Sequence, residues 1–313
     1  MQRSTRRTFL RGSAAIATLA VVPTTSSADD VWLSAETPVS RDLYDVETTA
    51  DGAYAAGGGG YILGRHGGGW LIVDSSGPTG NGHDLYGADV TDDGERFWVV
   101  GASGAIGEFD VSSWELTDHS APNDVTNNFN GVAVTGTAGE ANVYVAGDSG
   151  KIYRSFENGA SGTWDSVTPG SGSNLNAIDF HDARSGHAVD GNQTVFVTED
   201  GDTWEKIGVE DADHSFYGVD SDAADDVTVV GSGGTVLHWD GAEWTREDTG
   251  DVDLGDVERN GDRGLAVGGG GAVFRRDADG WTEEATPSGA NLNAVVDGDP
   301  ELAVGAGGAV LER

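Results

Sequence analysis

The sequence predicts an all-β fold, a seven-bladed β-propeller of four-stranded antiparallel blades whose last blade is closed by the N-terminal strand. Three observations predict it. A four-residue glycine turn recurs seven times, a strand led by Leu or Phe precedes each turn, and a tryptophan follows six of them while a further one, Trp32, stands near the N-terminus. The steps between the first glycines of successive turns are 44, 46, 44, 40, 37 and 37 residues, the period of a propeller blade rather than of a helical repeat. The 50 glycines also argue against helical solenoids, because each Gly inside a helix costs about 1 kcal/mol relative to Ala.

Residues 1–28 stand apart from the fold. Ser4, Thr5, Arg6, Arg7, Thr8, Phe9, Leu10 and Arg11 form a twin-arginine pattern, and an apolar run from 12 to 22 and the small residues Ser26, Ser27 and Ala28 follow it. The run is too short to span a bilayer, which takes about 20 helical residues, so the segment reads as an export signal and residues 29–313 as a single propeller domain. No later segment reads as transmembrane. This places the protein outside the cell membrane, secreted or at the cell surface.

The chain has 53 Asp plus Glu, 17 Lys plus Arg and no Cys. A disulfide scaffold and a thiol enzyme are thereby excluded, and nucleic acid is a poor partner because phosphate recognition needs clustered Lys and Arg. Removing residues 1–28 takes away four arginines and no acid, so the net charge moves from −36 to −40. At 1 M salt the Debye length is only about 3 Å and such self-repulsion largely disappears. The acids are spread along the chain rather than clustered, which favours solvent adaptation over capture of a basic partner or calcium. In composition the chain resembles proteins of extreme halophiles.

Each element of the repeat has a physical reason. The innermost strands start at Leu43, Leu85, Phe129, Leu175, Phe216, Leu254 and Leu292, and most carry a small residue at their third position, as crowding near the axis demands. The second strand ends at the glycine turn, at 57–60, 101–104, 147–150, 191–194, 231–234, 268–271 and 305–308. The third follows it. The fourth opens on Trp70, Trp114, Trp204, Trp244 or Trp281, each 13 residues after the first glycine, or on Trp164, 17 residues after. The chain stops at Arg313, eight residues after Gly305, with no tryptophan in its last blade. Residues 31–39 therefore pair beside 309–312 and close the ring, since an open ring leaves unpaired backbone at the seam. The seven in-register tryptophans are expected to be buried in blade packing, and Trp98 and Trp239 lie off this register.

These units resemble the sialidase-type repeat, also called the Asp-box or BNR repeat, and the wider WD-like and YVTN-like propellers. The nearest local match is Val197 to Trp204, where Gly201, Thr203 and Trp204 fit the pattern Ser-x-Asp-x-Gly-x-Thr-Trp, Glu199 stands in the Asp place and Val197 in the Ser place. The whole unit looks most like the photosystem II assembly-factor propellers and their non-photosynthetic relatives. The resemblance implies fold far more than function.

No catalytic residue, cofactor or metal site emerges. A sialidase-like hydrolase, the alternative reading, needs an arginine cluster, an acid/base Asp and a Tyr–Glu pair, and only eleven arginines remain after residue 28. No histidine pair has metal-ligand spacing, and neither a Gly-x-Ser-x-Gly elbow nor a twelve-residue calcium loop occurs. The leading reading is a non-catalytic, monomeric binding or scaffold module for a protein or glycan. In a four-stranded meander the glycine turns and the blade-to-blade connections share one face. Those turns contain a single acid, Asp148, so that face is the expected contact surface. At its inner edge the second residues of the first strands, Tyr44, Tyr86, Asn130, Asn176, Tyr217, Gly255 and Asn293, form a ring suited to a sugar or an extended peptide. A plainer reading has them satisfy strand-start backbone groups and wall the channel. Asn192 heads the one glycosylation sequon, on the same face.

Overall fold

The computed structural model describes residues 31–313 apart from 171, 210 and 211, so the export signal expected at 1–28 lies outside the described residues. Blade 1 comprises Leu43–Thr49, Gly52–Gly57, Ile62–His66 and Gly69–Asp74, and blade 2 comprises Leu85–Val90, Arg96–Gly101, Ile106–Asp110 and Glu115–Asp118. Blade 3 follows with Phe129–Thr135, Asn142–Gly147, Ile152–Ser155 and Asp165–Val167, and blade 4 with Leu175–Phe180, Gly186–Asp190, Val195–Thr198 and Glu205–Ile207. Blade 5 is Phe216–Ala223, Asp226–Gly231, Thr235–Trp239 and Trp244–Asp248, and blade 6 is Leu254–Asn260, Arg263–Gly268, Val273–Asp277 and Gly280–Glu284. Blade 7 takes Leu292–Val296, Leu302–Gly305 and Val310–Glu312 from the end of the chain and Leu33–Ala35 from its start. All seven sheets are antiparallel meanders of four strands. Among the described residues no helix is long and apolar enough to cross a membrane.

The ring closes as the tryptophan count requires: Leu33 pairs with Glu312, Ser34 with Leu311 and Ala35 with Val310. Trp32, 3% exposed, packs against Leu265, Val267 and Val273 of blade 6 and donates from Nε1 to Glu284 at 2.7 Å. On the other side of the seam Arg65 of blade 1 makes a two-pronged ion pair with Glu312 (2.9 Å each), and Trp70 Nε1 donates to the same carboxylate at 3.0 Å. The core is divided into layers between neighbouring blades. One joins Leu43, Leu63 and Trp70 of blade 1 to Leu302, Val304 and Val310 of blade 7.

The glycine turns have a steric cause. In six of the seven, the first glycine lies against the carbonyl of the residue that leads into its own blade. A Cβ on Gly101 would lie 2.0 Å from the oxygen of Asp84, and one on Gly268 2.0 Å from that of Asp253. The third residue is left-handed throughout, from Ser103 (φ 58°) to Gly59 (φ 79°). Blade 4 departs from the rule: Asp190 Oδ1 accepts from the backbone of Asn192 and Thr194 and holds the turn through its side chain.

Three sequence expectations need correction. Trp114, although in register, is 46% exposed and left-handed (φ 60°), because Asp110 caps a tight turn through Ser112 and Ser113 and swings the indole outward beside His66. The fully buried Trp98 instead packs toward blade 3 and stacks on His119 with centroids 4.9 Å apart. The acids, for their part, are not all surface groups. Asp89, Asp220 and Glu258 are buried, and their carboxylates accept the backbone N–H of Val134, Arg259 and Asp297 in the next blade at 2.6 Å each. Asp45 and Asp179 do the same for Ala88 and Ser221 at 2.7 Å. In the Asp-box-like turn the working residues lie one place later than the pattern implies. Asp200 accepts from the backbone of Asp202 and Thr203, which holds its carboxyl down at about 2, and Thr198 Oγ accepts from Gly201.

Candidate functional site

The site grows out of a backbone irregularity repeated seven times. In six blades the leading Leu or Phe pairs with the first glycine of the turn, and in blade 4 Leu175 pairs with Asp190 just before it; in all seven the ladder then skips a residue, as between Leu43 and Asp45 or Leu85 and Gly87. The skipped residue is the second of the strand. A β-bulge frees that residue from the ladder and re-aims its side chain, here toward the propeller axis. Tyr44, Tyr86, Asn130, Asn176, Tyr217, Gly255 and Asn293 all line one central cavity of about 100 Å³, so the ring is brought together in full.

Its members divide by chemistry. The three asparagines bridge blades: Asn130 Nδ2 donates to the Leu175 carbonyl (2.9 Å), Asn176 Nδ2 to that of Phe216 (2.6 Å) and Asn293 Nδ2 to that of Leu43 (2.7 Å). Each acceptor is the leading residue of the next blade. The tyrosines are different. Tyr44 and Tyr86 meet edge to face with centroids 5.3 Å apart, Tyr217 is 38% exposed, and among the described residues none hydrogen-bonds their hydroxyls. Gly255 leaves a gap in the wall between Tyr217 and Asn293.

Around this ring runs a second one that the sequence reading missed. In six blades the residue just before the inner strand caps the left-handed N–H of the preceding blade's glycine turn. Asp84 accepts from Gly59 (2.7 Å), Asn128 from Ser103 (3.1 Å), Asn174 from Ser149 (3.0 Å), Asp253 from Gly233 (2.7 Å), Asn291 from Gly270 (2.9 Å) and Asp42 from Gly307 (2.7 Å). The legible signal was an Asp or Asn directly ahead of the leading Leu or Phe in six blades. These caps make the mouth more acidic than the turns alone, since Asp42, Asp84 and Asp253 join Asp148. Burial pushes the Tyr44 and Tyr86 hydroxyls up, and the carboxylates add to it, Asp84 and Asp42 at Tyr44 and Asp84 and Asp148 at Tyr86. Deeper in the channel Asp45 and Asp256 line the wall. Its lining includes no Lys, Arg or His. Among the described residues no group of three or more His, Asp or Glu is placed to hold a metal ion. Asn192 is exposed on the same face, its Nδ2 2.7 Å from Ser173 Oγ.

A channel walled by bulged residues within seven four-stranded blades defines the class, a seven-bladed β-propeller. No protein-family model matches this sequence, and no curated protein does. Solved structures do. YCF48 bound to D1 peptide is 14% identical with a TM-score of 0.72, covering 95% of this chain and 99% of that one. The WD40 repeats of RRP9 are 12% identical (TM-score 0.74; 90% and 98% covered), and virginiamycin B lyase from Staphylococcus aureus is 14% identical (TM-score 0.75; 90% and 97% covered). At such identities the likeness shows the fold alone, and that fold includes a peptide-bound protein and a lyase.

Proposed function

We propose that this chain is an exported, salt-adapted and monomeric binding or scaffold module without catalytic function, secreted or held at the cell surface, that takes its partner at the mouth of the channel on the glycine-turn face. The observation that carries the reading is the split within the bulged ring. Asparagines knit blade to blade, while Tyr44, Tyr86 and Tyr217 offer flat apolar area and hydroxyls that no described residue engages to whatever arrives. Tyrosine is suited to this, having a large contact area and few rotatable bonds. Of the protein and glycan partners open from the sequence, a polypeptide fits better. The cavity, at about 100 Å³, is well below the roughly 300–1,000 Å³ of small-molecule pockets, and YCF48, with the same fold, is known bound to a peptide. The competing sialidase-like hydrolase needs arginines gathered at the channel. Arg65, Arg275 and Arg276 are instead ion-paired away from it, to Glu312, Glu284 and Glu247.

The test is capture from the native envelope fraction at molar salt with the wild type and with Tyr86→Ala and Tyr217→Ala. The reading expects a partner held by the wild type and lost from both variants while their melting is unchanged. A partner retained equally by all three, or turnover of a fluorogenic sialoside at high salt, would overturn it.

A further inference from the structure

Resting on that reading of the mouth, we infer that the partner enters the channel with a single cationic side chain, a lysine or arginine projecting from an extended polypeptide segment. Size is the first argument. A cavity of about 100 Å³ suits one slender side chain and no folded element.

Charge is the second. The channel wall carries two carboxylates, Asp45 and Asp256, and no basic group, and the mouth above it adds Asp42, Asp84 and Asp148. Those carboxylates are fixed in place. Asp45 accepts from the N–H groups of Val46 and Ala88, Asp256 from that of Val295, and Asp42 and Asp84 each hold a turn, so none needs to reorganise when a cation arrives. Arg41 and Lys151 sit on the same face but outside the lining.

The third argument is independent of charge count. Tyr44 and Tyr86 meet edge to face where both line the cavity, and an ammonium or guanidinium over a tyrosine face is attracted by the ring quadrupole. An anionic side chain would meet the same carboxylates with the wrong sign. A neutral apolar chain would gain the tyrosine contact and forgo the field.

The experiment incorporates 3-fluorotyrosine and follows the ring signals by fluorine NMR. The probes are capped Gly/Ser decapeptides with a central Lys, Arg, norleucine or Glu, titrated in molar salt so that the general acidity of the surface is screened. Lys and Arg peptides should move the Tyr44 and Tyr86 signals and leave Tyr61 and Tyr153 in place, with affinity about fivefold to tenfold above that of the norleucine peptide. Asp84→Asn should reduce that preference severalfold without changing the fold, because Asn already caps the equivalent turn at Asn128, Asn174 and Asn291. Equal shifts from the norleucine or Glu peptide would overturn the cation inference and leave the mouth as the binding site. Shifts confined to rings away from the channel, or none at all, would also overturn it, and the capture experiment with the tyrosine variants would then decide the wider reading on its own.

Discussion

Replacing Trp32 by Ala tests ring closure directly, and Trp114→Ala is its internal control. The two tryptophans hold equivalent places in the repeat but different environments: Trp32 is 3% exposed in the layer between blades 6 and 7, Trp114 46% exposed in a turn. Burying an indole removes about 150–250 Å² from water, an upper estimate of about 4–6 kcal/mol at ~25 cal/mol/Å². Measured Trp→Ala losses of about 3–5 kcal/mol in cores agree with that scale. Glu284, which accepts from Trp32, keeps Arg275 at 2.8 Å, so no stranded charge adds to the cost. Trp32→Ala should therefore lower stability by about 3–5 kcal/mol and Trp114→Ala by less than about 1 kcal/mol. Urea denaturation followed by far-ultraviolet circular dichroism, both variants in one molar-salt buffer, reads the difference as separate midpoints with a common slope. Equal midpoints would refute the claim that the N-terminal strand completes blade 7.

Three further outcomes follow from the structure. His187 is buried beside Ser221 and His181, and that burial holds its pKa down to about 3; the unfolded chain binds the proton first, so stability should fall as pH drops from about 6.5 toward 3, by about 3 kcal/mol at pH 4, and His187→Gln should flatten that part of the pH–stability curve. Asp220→Ala leaves the Arg259 N–H without its 2.6 Å acceptor and should cost about 1–3 kcal/mol, with Asp220→Asn losing less, as read by thermal melting. At a net charge of −36 for the full chain, lowering salt below roughly 0.5 M should unfold or aggregate the protein; a salt titration of tryptophan fluorescence with no transition would dismiss salt adaptation.

The blade count, the strand order and the seam were legible because glycine and tryptophan report hard constraints, a carbonyl 2.0 Å from an absent Cβ and an indole that must be covered. The ring at Tyr44, Tyr86 and Tyr217 was legible by position, but not the bulge that aims it, since a skipped ladder residue leaves no compositional trace. That Asn130, Asn176 and Asn293 satisfy strand-start backbone groups was the favoured reading of the sequence, but their partners one blade away carry no local signal. Acids such as Asp89 and Asp220 were read with the surface charge because composition cannot separate a carboxylate that faces water from one that grips a neighbouring backbone. Trp114 was misread for a similar reason: Asp110 and two serines decide its direction, not its spacing.

The pairing of Leu33 with Glu312 has a consequence for how the molecule is made. Six blades draw their strands from consecutive stretches and can collapse one after another as the ribosome delivers them, but Leu33–Ala35, the first strand of the fold, has no mate until Val310–Glu312 has been made. Such long-range contacts set slow folding, because loop-closure entropy precedes any gain. A circular permutant that joins 313 to 31 and opens the chain between blades 3 and 4 would make the last blade local, and it should refold faster while keeping every native contact except those at the new break.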